Sequence, residues 1–310
     1  MQTTTPPLRG VIAAIATALN EGDCPDHAAT LRHARWLIEN GCDGLNLLGT
    51  TGEASSLPAS ARMELMSVMA QGIAPGRMMV GTGCPDLATT VALTRHAAEL
   101  GYAGALVLPP YYYKGVDEAG LYAFFEGLVE ATADRPIPIY LYNFPQMTGL
   151  RFEIGFAAWL KARFPDRIGG AKDSSGDLAY AADLARIDGF DVFPSDEAAL
   201  AQAPKHGFAG CISATVNLTA PLAQRLWADP HDAALAEEVG RRRRAIAATP
   251  LIPSVKALVA RLHDMPGYAR VLPPLAPLTE DQGRALPAPS CSPPSRPERR
   301  PPSHQTGQTG

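Results

Sequence analysis

Eight short apolar runs, at 11–19, 44–48, 78–81, 105–108, 139–142, 168–172, 191–193 and 211–213, punctuate the first two thirds of the chain. Between them lie segments whose apolar positions follow the helical period: 27–40, 59–73, 87–100, 118–132, 154–162, 178–186 and 198–206, with an eighth near 221–227. Short buried strands alternating with amphipathic helices are the pattern of βα units around a parallel sheet. The helix ends carry their own signals. Asp26 is placed to cap the first helix and Pro58 suits the start of the second, while Gly41, Gly101 and Gly207 stand just beyond helix ends.

Eight strands with eight crossovers predict an α/β fold of the (β/α)8 TIM barrel type, spanning residues 1–228. No G-x-G-x-x-G follows any strand, so the dinucleotide-binding open sheet is not indicated. Two more helical patterns, 231–248 and 253–263, fall outside the barrel repeat and define a C-terminal helical extension, 229–285. From 286 to 310 the composition turns to Pro, Ser, Arg and Gln, which predicts a disordered tail.

The composition is 46% hydrophobic and 19% charged, which supports an ample core. A net charge of -4 and a pI near 6.0 argue against a nucleic-acid partner or an anionic membrane surface. The run Arg241–Arg244 follows Glu237 and Glu238 in a helical pattern and reads as a solvated helix face. The five cysteines show no metal-binding spacing, and an odd count suits a reducing compartment; they read as small buried fillers. The run 11–19 imitates a weak signal peptide but reads better as a first buried strand, and no run reaches the ~18 apolar residues of a membrane span. A cytoplasmic location is the expectation. The histidines are scattered and read as structural, and no HExxH or carboxylate cluster suggests a metal.

In a barrel, reactive groups gather at the C-terminal strand ends. Here those ends read Leu48-Gly-Thr-Thr-Gly-Glu53, Pro110-Tyr-Tyr-Tyr113, Tyr140-Leu-Tyr-Asn-Phe-Pro145 and Ile168-Gly-Gly-Ala-Lys172-Asp-Ser-Ser-Gly176. An inward lysine at a strand end, such as Lys172, is a place where an amine can be taken out of water and used as a nucleophile; a lone lysine of this kind more often snorkels to solvent. Its companions change that reading. Thr50 and Thr51, between Gly49 and Gly52, offer hydroxyls and backbone N–H groups suited to a carboxylate. Tyr142 shares strand parity with Tyr140 and is a candidate proton carrier.

These motifs, with Gly210-Cys-Ile-Ser213, resemble the dihydrodipicolinate synthase / N-acetylneuraminate lyase family of class I aldolases, over most of residues 8–280. The resemblance implies that Lys172 forms a Schiff base with pyruvate or the 2-keto end of a substrate, that Tyr142 shuttles protons, and that Thr50 and Thr51, with Gly52, hold the keto-acid carboxylate. It further implies that Tyr112 reaches into a neighbouring subunit's site in a homo-oligomer, a dimer or tetramer, and that Ile212 walls the pyruvyl methyl. No cofactor beyond the covalent imine is implied. Where synthases of the family carry an arginine to receive the aldehyde's carboxylate, this chain has Met147, which disfavours condensation with aspartate semialdehyde. A serine usual in sialic-acid lyases is Ala214, and a usual glycine is replaced near Ser195. The expected substrate is a small-molecule 2-keto acid, with a 2-keto-3-deoxy sugar acid as the candidate. A Schiff-base dehydratase and a non-catalytic keto-acid sensor are the alternatives. The proline-rich end also leads us to expect a weakened C-terminal subdomain and a perturbed oligomer.

Overall fold

In the computed structural model, which describes residues 7–288, the period-two pattern of the strands becomes two layers. The strands are β1 (Gly10–Ala14), β2 (Gly44–Leu47), β3 (Met78–Gly81), β4 (Gly104–Val107), β5 (Ile139–Asn143), β6 (Ile168–Asp173), β7 (Asp191–Pro194) and β8 (Gly210–Ser213). All pair in parallel, in the order β7-β6-β5-β4-β3-β2-β1-β8, and the Ala209 N–H donates to Val192 O (2.9 Å) across the remaining seam. The result is a nearly closed (β/α)8 barrel. Ile12, Ala14, Met79, Leu106, Tyr140, Tyr142, Phe193 and Ile212 fill its interior. Their neighbours in each strand face the other way, into the layer shared with the helices.

Around the barrel run α1 (His27–Glu39), α2 (Ala59–Gly72), α3 (Leu87–Glu99), α4 (Glu118–Ala131), α5 (Pro145–Thr148), α6 (Ile154–Arg163), α7 (Leu178–Leu184), α8 (Ala203–His206) and α9 (Val216–Ala228). Beyond it come α10 (Ala233–Ala247), α11 (Leu251–His263) and α12 (Glu280–Ala285). Asp26 caps α1 by accepting from the Ala29 N–H (2.9 Å). Among the described residues no single helix is long and apolar enough to cross a membrane.

Several expectations needed correction. The first apolar run outlasts its strand: β1 stops at Ala14, and residues 15–19 form a buried loop. Side chains satisfy its backbone there, Asn217 Oδ1 accepting from the Ala16 N–H and Thr30 Oγ1 from the Ala18 N–H. The helix expected at 198–206 splits into a 3₁₀ turn, Glu197–Gln202, and the short α8, because Pro204 cannot donate into a continuing helix. Cys42, Cys84 and Cys211 are buried, but Cys24 is exposed, so it is no core filler; Cys291 lies outside the described residues. Of the expected tail, all but 286–288 lies outside them too. The chain leading into it is well anchored: Thr279 and Gln282 form a capping box on α12, and Leu286 is buried against α11 and the 15–19 loop.

His33 of α1 joins barrel to extension. Asn217 Nδ2 donates to Ala14 O and Ala214 O, which leaves its Oδ1 to accept from His33 Nε2–H (2.9 Å). His33 Nδ1 then accepts from His263 Nε2–H (2.9 Å), so the His33 ring is neutral. Burial pulls His33 down from 6.5 to about 3, Asn217 opposing and His263 adding to the depression. A histidine depressed in the folded state is charged in the unfolded chain first, so stability is lost as pH falls below about 6.5, at up to ~1.36 kcal/mol per unit down to about 3. Urea unfolding between about pH 7 and about pH 4 should show a loss of several kcal/mol. A His33→Asn variant should show a visibly flatter slope, and an unchanged slope would contradict the assignment.

Candidate active site

Lys172 reaches the barrel mouth because β6 lies unusually close to its neighbours. A Cβ on Gly169 would stand 2.8 Å from the Tyr140 ring, and one on Gly170, at φ +157°, 1.8 Å from Asp191 O. Only glycine fits there, and the strand carries Lys172 into register with Tyr142 on β5. Lys172 is 4% exposed. Its Nζ donates to Tyr142 Oη (3.2 Å) and sits 4.4 Å from the centroid of the same ring. Tyr142 Oη also shares a hydrogen bond with Thr50 Oγ1 (3.2 Å), and Phe144 stacks on the Tyr142 ring. An amine, a phenol and a hydroxyl therefore form one chain of proton-bearing groups.

The next residues on the same strands hold this chain in place. Asn143 Nδ2 donates to Asp173 Oδ1 (2.6 Å), and Ser175 donates to Asp173 through its N–H (3.2 Å) and its hydroxyl (2.8 Å). Burial raises the Asp173 carboxyl above the ordinary range, and these hydrogen bonds oppose the rise. Thr50 and Thr51 line the cavity, and their amides make no backbone hydrogen bond among the described residues. Gly52 does not line it: its N–H donates to Gly49 O (3.1 Å) and its carbonyl accepts from Thr17 (2.9 Å), so it shapes the loop from behind. Ile212 lies in the packed layer with Tyr142, not on the cavity wall. Tyr112 is not brought to the cavity. It is 73% exposed, edge-on to Tyr113, in a loop pinned by Lys114 Nζ donating to Tyr111 O and Thr148 O.

The cavity has a volume of ≈ 700 Å³. Beyond Lys172 its walls are Phe144, Met147 and Ala214 from the barrel and Leu251, Ile252 and Leu275 from the extension, with Ser174, Ser195, Arg243 and Gln282 as polar groups. Arg243 corrects the reading of 241–244 as a solvated face. Arg241 and Arg242 do pair with Glu238, but the Arg243 side chain is 20% exposed and turns inward, Nε to Asp196 (3.0 Å) and Nη1 to Glu197 (3.1 Å). Among the described residues no group of three His, Cys, Asp or Glu side chains is placed to hold a metal.

Two further residues escaped the sequence reading. Glu53, with left-handed backbone (φ 56°), follows the threonine loop directly. Its carboxylate pairs with Lys256 of α11 and accepts from the Leu272 N–H (2.6 Å), both charged side chains being fully buried. Burial pulls the Lys256 ammonium below the ordinary range, and Glu53 opposes this. Partners 203 residues apart leave no local signal. Lys256→Met strands a buried carboxylate, so it should lower the unfolding free energy by about 3–5 kcal/mol. Adding Glu53→Gln should restore a large part of that loss; two additive losses in the double-mutant cycle would contradict the pairing.

Comparison with known proteins gives this site its context. The profile of the Dihydrodipicolinate synthetase family matches residues 7–288. The chain belongs to that family. Its members are lyases and synthases of the class I aldolase type, which work through a lysine Schiff base. An uncharacterized DapA-like lyase of Chloroflexus aurantiacus is 32% identical, the match covering 90% of this chain and 94% of that protein. The dihydrodipicolinate synthase of Agrobacterium tumefaciens superposes with a TM-score of 0.83 at 28% identity, over 89% of this chain and 96% of that one. YagE, a prophage protein of the family from E. coli K12 solved with pyruvate, gives 0.81 at 27% identity, over 89% and 95%.

Proposed function

We propose that this member of the family is a pyruvate-releasing aldolase that cleaves a 2-keto-3-deoxy sugar acid through an imine on Lys172. The observation that carries the reading is the hydrogen-bonded chain Lys172–Tyr142–Thr50 at the floor of a cavity whose far wall offers no guanidinium at position 147. The pyruvate complex of YagE supports a keto acid as the fixed half. The keto-acid carboxylate is received by the Thr50 and Thr51 amides and hydroxyls. Lys172 Nζ adds to the keto carbon, and Tyr142 delivers a proton to the carbinolamine oxygen, which leaves as water. The protonated imine then accepts the electron pair of the C3–C4 bond as the Tyr142 phenolate left by that donation takes the proton of the C4 hydroxyl, which frees an aldehyde. The remaining enamine takes a proton at C3, and water releases pyruvate from Lys172.

Exposure of Tyr112 beside Tyr113 supports its expected place against a second copy of the chain, in a homodimer or homotetramer. A panel of 2-keto-3-deoxy acids, assayed for free pyruvate and separately for dehydrated 2-keto product, tests the reaction. Stoichiometric pyruvate and aldehyde is the expected result. Dehydrated product without pyruvate would assign the site to a hydro-lyase instead.

A further inference from the structure

We propose that Arg243 receives a neutral hydroxyl on the aldehyde half of the substrate, an assignment that rests on the aldol reading above and extends it to the second substrate. Arg243 is the one fixed cation on the cavity wall, among the described residues, that the imine does not consume. Four contacts hold it rigidly. Nε meets Asp196 Oδ2, and Nη1 meets Glu197 Oε2 together with the hydroxyls of Ser213 (3.0 Å) and Thr215 (2.9 Å). Glu197 is itself fully buried and accepts from Ser213, Thr215 and Thr219 at 2.6–2.7 Å. Nη2 makes no hydrogen bond with any described residue, so its two N–H groups remain for a ligand. Ser195 and Ala214, the chain neighbours of Asp196 and of Ser213 and Thr215, line the cavity beside it.

Charge selects the ligand class. One guanidinium faces two carboxylates, so acidic groups outnumber the cation by one; burial raises Asp196 above its ordinary range, Arg243 opposing and Glu197 adding to the rise. An incoming carboxylate or phosphate would meet this excess, whereas a hydroxyl accepts from Nη2 without adding charge. The apolar walls set by Met147, Leu251 and Leu275 reject a second ion as well. The aldehyde half is thus a neutral hydroxyaldehyde rather than an amino acid semialdehyde.

The test runs the reaction in the condensing direction with pyruvate and three aldehydes: glyceraldehyde, propanal as its deoxy counterpart, and succinic semialdehyde as the anion. Wild-type protein should prefer glyceraldehyde over both. Arg243→Lys keeps a cation beside Glu197 and Asp196, and so keeps the fold if Arg243→Met does not. It should cut the glyceraldehyde-to-propanal ratio of kcat/KM by about 10–100-fold, chiefly through KM for glyceraldehyde, as expected for one hydrogen bond to a charged donor. An unchanged ratio, or a wild-type preference for succinic semialdehyde, overturns the assignment. Borohydride reduction of the wild type with pyruvate separates the two readings. A Lys172 adduct with an unchanged ratio removes the Arg243 role alone, and no adduct removes the aldol reading and this role with it.

Discussion

Lys172→Ala should abolish turnover, with kcat/KM for any 2-keto-3-deoxy acid falling by at least about 10⁴-fold and no burst of bound product. The reasoning is covalent. Without an amine no imine forms, and the C3–C4 electron pair has no sink. The substitution removes a buried amine whose contacts among the described residues are Tyr142 Oη and the face of its ring, so the barrel should fold without it. Unfolding midpoints within a few degrees of wild type, together with lost activity, would place the effect in the chemistry. Residual activity within 10-fold of wild type would mean that another group carries the reaction.

Tyr142→Phe should cost about 10²–10⁴-fold in kcat, the usual contribution of one positioned acid–base group. The phenol oxygen links both ends of the chain, 3.2 Å from Lys172 Nζ and 3.2 Å from Thr50 Oγ1. Phenylalanine keeps the ring, its stacking on Phe144 and its place in the apolar barrel interior, so stability should change little. Binding should change less than turnover, because in the proposed reaction the carboxylate is received by Thr50 and Thr51. A rise in KM with kcat intact would instead make Tyr142 a binding residue.

The strand ends were legible because each βα unit writes them locally. An apolar run alternates inside and outside, then yields to glycine, threonine or asparagine where the chain turns. Ile168–Asp173 shows this: two glycines make room for Tyr140 and β7, and the lysine follows within the same strand. Parity alone puts Tyr140 and Tyr142 on one face, as found. Boundaries failed where burial outlived regular structure. Residues 15–19 are as apolar as a strand because α11 and the Tyr268 region cover them, not because they extend the sheet.

What the sequence could not show is long-range pairing of charges. Arg243 belongs to a run of four arginines, and nothing in that run distinguishes the one that turns inward to Asp196 and Glu197. Glu53 and Lys256 are each ordinary in their own segments, and only the fold makes them partners. The extension therefore supplies more than a cap. Through Lys256 and Leu272 it anchors the loop that carries Thr50 and Thr51, and through Leu251, Leu275 and Arg243 it forms one side of the cavity.

The proposed chemistry rests on an imine at Lys172. Incubation of the full chain with pyruvate, reduction with borohydride and peptide mass analysis should place a stable adduct on the peptide containing Lys172, with none in Lys172→Ala. An adduct on another lysine, or none at any pH, would contradict imine formation at Lys172.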